Sequence, residues 1–238
     1  MLKIGFLTLT AFLCLKSTSS LSQNQTEKTL FEITDKELSS GNSPLNNGKF
    51  HINNDNTIGD EHRYFSENRL HTEEIKFNNQ VYYNNKIKYD IFKDDLLLNP
   101  ENQSEKLLIV LDKSKVAYFT IQNRKFIPLQ LSAGEPAHYV EESIHTKRFT
   151  FYIRFRKTAK EVIRENGVFV SYENDNTYFV KTGNTLTEIK SKKNIVKLYP
   201  ELQSEIHDYY RFYKTLEKEN PVKFMENLML TIKKSLNN

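Results

Sequence analysis

Two hydrophobic periods succeed one another along the chain. Between about Ile75 and Ile189 apolar residues come in short runs or alternate with polar ones, as in β-strands; after Lys190 they recur every three or four residues, as in helices. The clearest alternation sets Phe149, Phe151, Ile153 and Phe155 against Thr150, Tyr152, Arg154 and Arg156. It predicts a strand with one side firmly in a core. Upstream, residues 81–83, the pair Asn84-Asn85 and residues 86–92 predict a hairpin, because asparagine tolerates the positive φ of tight turns. Lys93-Asp94-Asp95 turns this into 96–98, and 107–111, apolar on both faces, predicts a central strand. Residues 116–121, 126–131, 168–172, 178–181 and 186–189 continue the series, separated by short polar turns. Strands joined in this way favour an antiparallel meander.

The helical part begins with Ile195, Leu198, Leu202, Ile206, Tyr209, Tyr213 and Leu216. Asn220-Pro221 then supplies a cap residue followed by proline at the first helical position, and Phe224, Leu228, Ile232 and Leu236 mark another apolar stripe. The fold class expected is α+β: a hairpin-rich antiparallel sheet followed by two or three C-terminal helices over about 192–238. Residues 23–74 are polar and rich in Asn and Gly, so they predict a leader with little regular structure ahead of a domain at 75–238.

The first 22 residues have the make-up of a cleavable signal peptide. Lys3 gives a basic start, and residues 4–15 are apolar apart from Gly5, Thr8 and Thr10. That core is shorter than the roughly 20 residues needed to span a bilayer, and Lys16 closes it. Ser20 and Ser22 suit cleavage before Gln23. Cys14, the single cysteine, is preceded by Leu13 and so lacks the small residue that lipid attachment requires. It is expected to leave with the signal. The mature chain would then be thiol-free, without disulfides, thiolate metal sites or a cysteine nucleophile.

Charge narrows the partners. Loss of Lys3 and Lys16 leaves 32 basic against 30 acidic residues, a net of +2, which does not favour nucleic acid as a partner. His51, His62, His71, His138, His145 and His207 show no metal-ligand spacing. His138 and His145 flank Glu141 and Glu142, but such a group in a loop is ordinarily solvated, and no metal or cofactor is expected. No nucleophile elbow or phosphate-cradling glycine loop is present. The pairs Asp94-Asp95 and Glu73-Glu74 stand at predicted turns, so no catalytic residue is nominated. Lys190, Lys192, Lys193 and Lys197 read as a solvated edge. The basic cluster with the most promise is Arg154, Arg156, Lys157 and Lys160, interleaved with Tyr152. It points to a binding surface for a polyanion or a lipid head group.

The stretches KYDIFKDDLLL (88–98), VLDKSKVAYFTI (110–121), NTYFVK (176–181), IKSKKNIVKLYP (189–200) and HDYYRFYKTLEKENPVKFMENLMLTI (207–232) together resemble exported envelope proteins of the Bacteroidota, especially flavobacteria. The likeness spans about 77–232. It implies a periplasmic or outer-membrane-associated address and transfers no functional residue. The expected function is non-enzymatic binding of an envelope protein, glycan or lipid through Tyr152, Arg154, Arg156 and Lys157. A hydrolase with a dispersed site and a carrier of apolar ligands are the alternatives, and no membrane-spanning segment is expected in the mature chain.

Overall fold

The structure is a computed structural model that describes residues 43–237; the predicted signal peptide, Cys14 within it and the leader up to residue 42 lie outside the described residues. Strand-forming runs dominate as far as Glu188. Among the described residues they form β1 (Lys49–Phe50), β2 (His71–Phe77), β3 (Gln80–Asp90), β4 (Asp95–Asn99), β5 (Ile109–Val110), β6 (Val116–Ile121), β7 (Arg124–Leu129), β8 (His138–His145), β9 (Thr150–Arg154), β10 (Lys157–Arg164), β11 (Gly167–Asn174), β12 (Thr177–Thr182) and β13 (Thr185–Glu188). Eleven of them make one sheet in the order β1-β5-β4-β3-β2-β6-β7-β8-β9-β12-β13, with antiparallel neighbours throughout. β10 and β11 form a separate two-stranded ribbon inserted between β9 and β12. Four helical segments follow: α1 (Lys192–Leu198), α2 (Gln203–Phe212), α3 (Lys214–Glu219) and α4 (Pro221–Asn237).

This is the α+β architecture the period change predicts. The helical part has more breaks than the two or three helices expected. Tyr199 leaves the helical region ahead of Pro200, Tyr213 separates α2 from α3, and Asn220 leaves the helical region before Pro221. Asn220 acts as the predicted cap, its Oδ1 accepting the Lys223 N–H at 3.0 Å. No described helix is long and apolar enough to cross a membrane.

Local differences have physical causes. The hairpin turn lies at Asn78-Asn79, both at positive φ, and not at Asn84-Asn85. Asn84, also at positive φ, sits where the register between β2 and β3 shifts, so β3 runs through the predicted turn. The run 107–111 forms only the two-residue β5, one strand in from the sheet edge. It is apolar on both faces because Ile109 and Leu111 enter the main core while Leu108 joins Tyr64 and Leu97 behind the sheet. The expected loop at 138–145 is strand β8. The polar run after Arg156 is strand β10, whose ladder to β11 holds it without an apolar face.

The described part of the leader, from Leu45, has little strand, and yet Leu45, Arg63, Tyr64 and Phe65 are buried. Arg63 is the anchor, with its Nε 2.7 Å from the fully buried Asp90 and its Nη1 2.9 Å from Asp55.

The sheet is strongly curled. β2, β6 and β7 lie between β3 and β8, which in a flat sheet would place β3 and β8 roughly 19 Å apart. Their side chains instead meet in the interior: the Tyr89 ring lies 5.7 Å from that of Tyr139 and 5.4 Å from Phe119 and Phe126. The same core takes Ile195, Ile206, Phe224, Leu228, Met229 and Ile232 from the helices. Burying side chains of this kind contributes about 1.5–3 kcal/mol each. Arg124 on β7 fixes α4 to the sheet, with Nη1 2.7 Å from both Glu141 of β8 and Glu226 of α4.

Candidate functional site

The curl carries the β3–β4 turn, residues 91–94, across to the end of β9 and the start of β10. A cleft of about 440 Å³ opens there, lined by Ile91, Phe92, Asp94, Arg154, Phe155, Arg156, Lys157, Thr158 and Ala159. Asp94 takes the turn's positive φ of 60°. Phe92 is held by Arg63, whose guanidinium lies 5.0 Å from the ring centroid, and by the edge-on Tyr172 ring at 5.4 Å. One wall is therefore fixed by the ion pairs that anchor the leader.

Behind the cleft, Asp94 is the hub of a polar cluster. Its Oδ2 is 2.5 Å from Lys113 Nζ and 3.0 Å from His138 Nδ1, while its Oδ1 accepts from the Tyr89 hydroxyl at 2.8 Å and the Tyr139 N–H at 3.3 Å. Burial pushes the Tyr89 hydroxyl well above its ordinary pKa, so it stays a donor. Arg154 Nη2 lies 3.0 Å from the same His138 Nδ1. One nitrogen cannot accept from Arg154 and donate to Asp94 at once, so the proton position on His138 decides which neighbour it holds.

The cations differ in how they are compensated. Arg156 pairs with Asp175 at 2.6 Å and Lys113 with Asp94. Arg154 and Lys157 are half-buried and have no carboxylate in ion-pair contact among the described residues. Lys157 donates to the His62 carbonyl, and burial lowers its pKa, an effect that half-buried Glu61 opposes. The lining thus holds three cations and one carboxylate, and that carboxylate is already engaged by Lys113. Such a site attracts anions. The imidazole beside it is oriented by Asp94 and has the form of a proton-transfer group.

Of the four residues the sequence singles out, Arg154, Arg156 and Lys157 line this cleft together. Tyr152 does not. It is buried with Val140 and Phe179 behind the sheet. Lys160 is exposed farther along β10. Asp94, Lys113 and His138 are the members that sequence reasoning did not connect with the cluster. His138 and His145 stand at opposite ends of β8, about 23 Å apart at the usual strand rise, so they do not converge. Glu141 turns inward to Arg124, and Glu142 faces Lys125 and His145. No group of three potential metal ligands occurs among the described residues. Glu73 and Glu74 are engaged by Thr120, the Gln122 N–H and Tyr118.

No protein family, no curated protein and no solved structure matches the chain.

Proposed function

We propose that the chain is an exported envelope protein, periplasmic or associated with the outer membrane and of the kind found in Bacteroidota. It acts by binding an envelope protein, glycan or lipid partner at the cleft between the β3–β4 turn and β9–β10. The observation that carries this reading is the gathering of Arg154, Arg156 and Lys157 around one cleft, with Arg154 and Lys157 in ion-pair contact with no carboxylate among the described residues. Half-buried charge left unpaired in a folded protein costs stability, which is offset when a ligand supplies the missing partner. The signal-like N-terminus supports the address.

The test is recovery of the native protein from envelope fractions, with identification of what accompanies it and mapping of the contact by hydrogen exchange. A partner that protects residues 91–94 and 154–159 is the expected result. Turnover of generic ester, glycoside or phosphate substrates by the purified protein would sink the reading, as would a partner that protects only a different surface.

A further inference from the structure

We infer that the ligand group seated in this cleft is a doubly charged oxyanion, a phosphate monoester, held between Arg154 and Lys157. The inference rests on the proposed binding role and names the chemistry of its ligand. Arg156 and Asp175 neutralise each other, and so do Lys113 and Asp94. What remains is one guanidinium and one ammonium on the same cleft: Arg154 reaches Asp94 only through His138, and the acid acting on Lys157 is the half-buried Glu61, which already accepts the Tyr172 N–H at 2.8 Å. Two unpaired positive charges call for two negative ones. A carboxylate or a phosphodiester brings one, whereas a phosphate monoester carries close to two at neutral pH and presents three acceptor oxygens.

The donors suit that geometry. Arg154 offers a planar fork for two oxygens of a phosphate, and Lys157 offers a point charge with two donors beyond the one given to the His62 carbonyl. Arg154 also has a holding position against His138 Nδ1 at 3.0 Å, from which it can turn without breaking an ion pair. The floor is not basic throughout: Ile91, Phe92, Phe155 and Ala159 leave room beside the charged group for an apolar or flat substituent. The ligand is therefore an organic phosphate in preference to the bare ion.

The experiment follows backbone amide shifts of Phe92, Asp94, Thr158 and Ala159 in the purified exported protein at constant ionic strength. It titrates inorganic phosphate, phenyl phosphate, dimethyl phosphate and acetate. Phenyl phosphate is expected to bind tightest, with dimethyl phosphate and acetate at least tenfold weaker than inorganic phosphate. Arg154→Gln and Lys157→Gln should each weaken phenyl phosphate binding at least tenfold, and Arg156→Gln less than threefold. Unchanged melting temperatures show that the variants still fold. If Arg154→Gln does not fold, Lys157→Gln alone decides. Equal binding of dimethyl phosphate or acetate, or phosphate binding indifferent to both variants, overturns the inference. If no probe shifts the cleft amides while a native partner still protects them, the phosphate assignment falls and the binding role stands; if neither touches the cleft, both fall. Sedimentation with vesicles of phosphatidylcholine, with and without phosphatidate, separates the sources. Co-sedimentation only with phosphatidate supports the assignment with a lipid as source, and phenyl phosphate binding without co-sedimentation supports it with a soluble one.

Discussion

Arg124 shows how much of this fold hangs on single charged side chains. Its guanidinium faces two carboxylates, and burial lifts Glu141 above the ordinary carboxylate range, with Arg124 pulling it back and Glu226 pushing it further up. A carboxyl raised in the folded state contributes stability below its unfolded pKa, and that contribution is lost as pH rises through the folded value. Replacing Arg124 by Met removes the compensation, so urea denaturation at pH 7 should show a loss of roughly 3–5 kcal/mol. The loss should shrink as the pH falls and Glu141, raised by burial, takes up its proton. A deficit that stays constant from pH 7 to 5 would show that the arginine acts through packing alone. Arg63 plays the corresponding part for the leader, and Arg63→Ala should release residues 53–65 to proteolysis by stranding buried Asp90. Neither partnership can be read from sequence, since Arg63 and Asp90 are 27 positions apart and Arg124 and Glu226 are 102 apart. The cationic side of the cleft was legible because Arg154, Arg156 and Lys157 are neighbours in the chain. Asp94, Lys113 and His138 reach it only through the curl, for which the sequence carries no local signal.

Among the elements, sequence period and structure agree wherever a face is buried and part wherever backbone pairing alone decides. The phenylalanine strand and the helical stripe belong to the first kind; β10, whose side chains are mostly exposed, belongs to the second. The choice between two Asn-Asn pairs for the β2–β3 turn is of a third kind, because identical turn chemistry occurs twice and only tertiary register selects one. That selection is testable. Asn79→Val forces a β-branched residue to φ 64° and should cost about 1–2 kcal/mol, whereas Asn85→Val, within β3 and outside the positive-φ set, should stay within about 0.5 kcal/mol. Equal costs at the two positions would restore the turn to Asn84-Asn85. Gly48 is constrained by space instead, since a Cβ there would lie 2.4 Å from the Val110 carbonyl oxygen. Gly48→Ala should therefore detach β1 from β5, seen as fast amide exchange at Phe50 and Val110.

For the whole molecule, the ribbon of β10 and β11 stands apart from the sheet, and Ile163 and Val168 near its tip are 83% and 54% exposed. A two-stranded ribbon has marginal stability by itself. Its tip amides, 162–168, should exchange orders of magnitude faster than those of β3 and β8, while the middle of the ribbon is held by the Val170 N–H to the Asn56 carbonyl at 2.8 Å. Uniform protection along the ribbon would show that something else covers it. The curl has a kinetic side as well. Asp94 finds His138 and Tyr139 across 44 and 45 residues, which makes the closure of the cleft a contact of high sequence separation that forms late. Asp94→Ala should accordingly leave the refolding rate nearly unchanged and speed unfolding. If the chain is exported and binds as proposed, it would acquire its receptive surface only in the last step of refolding, so half-folded molecules would not compete with finished ones for the ligand.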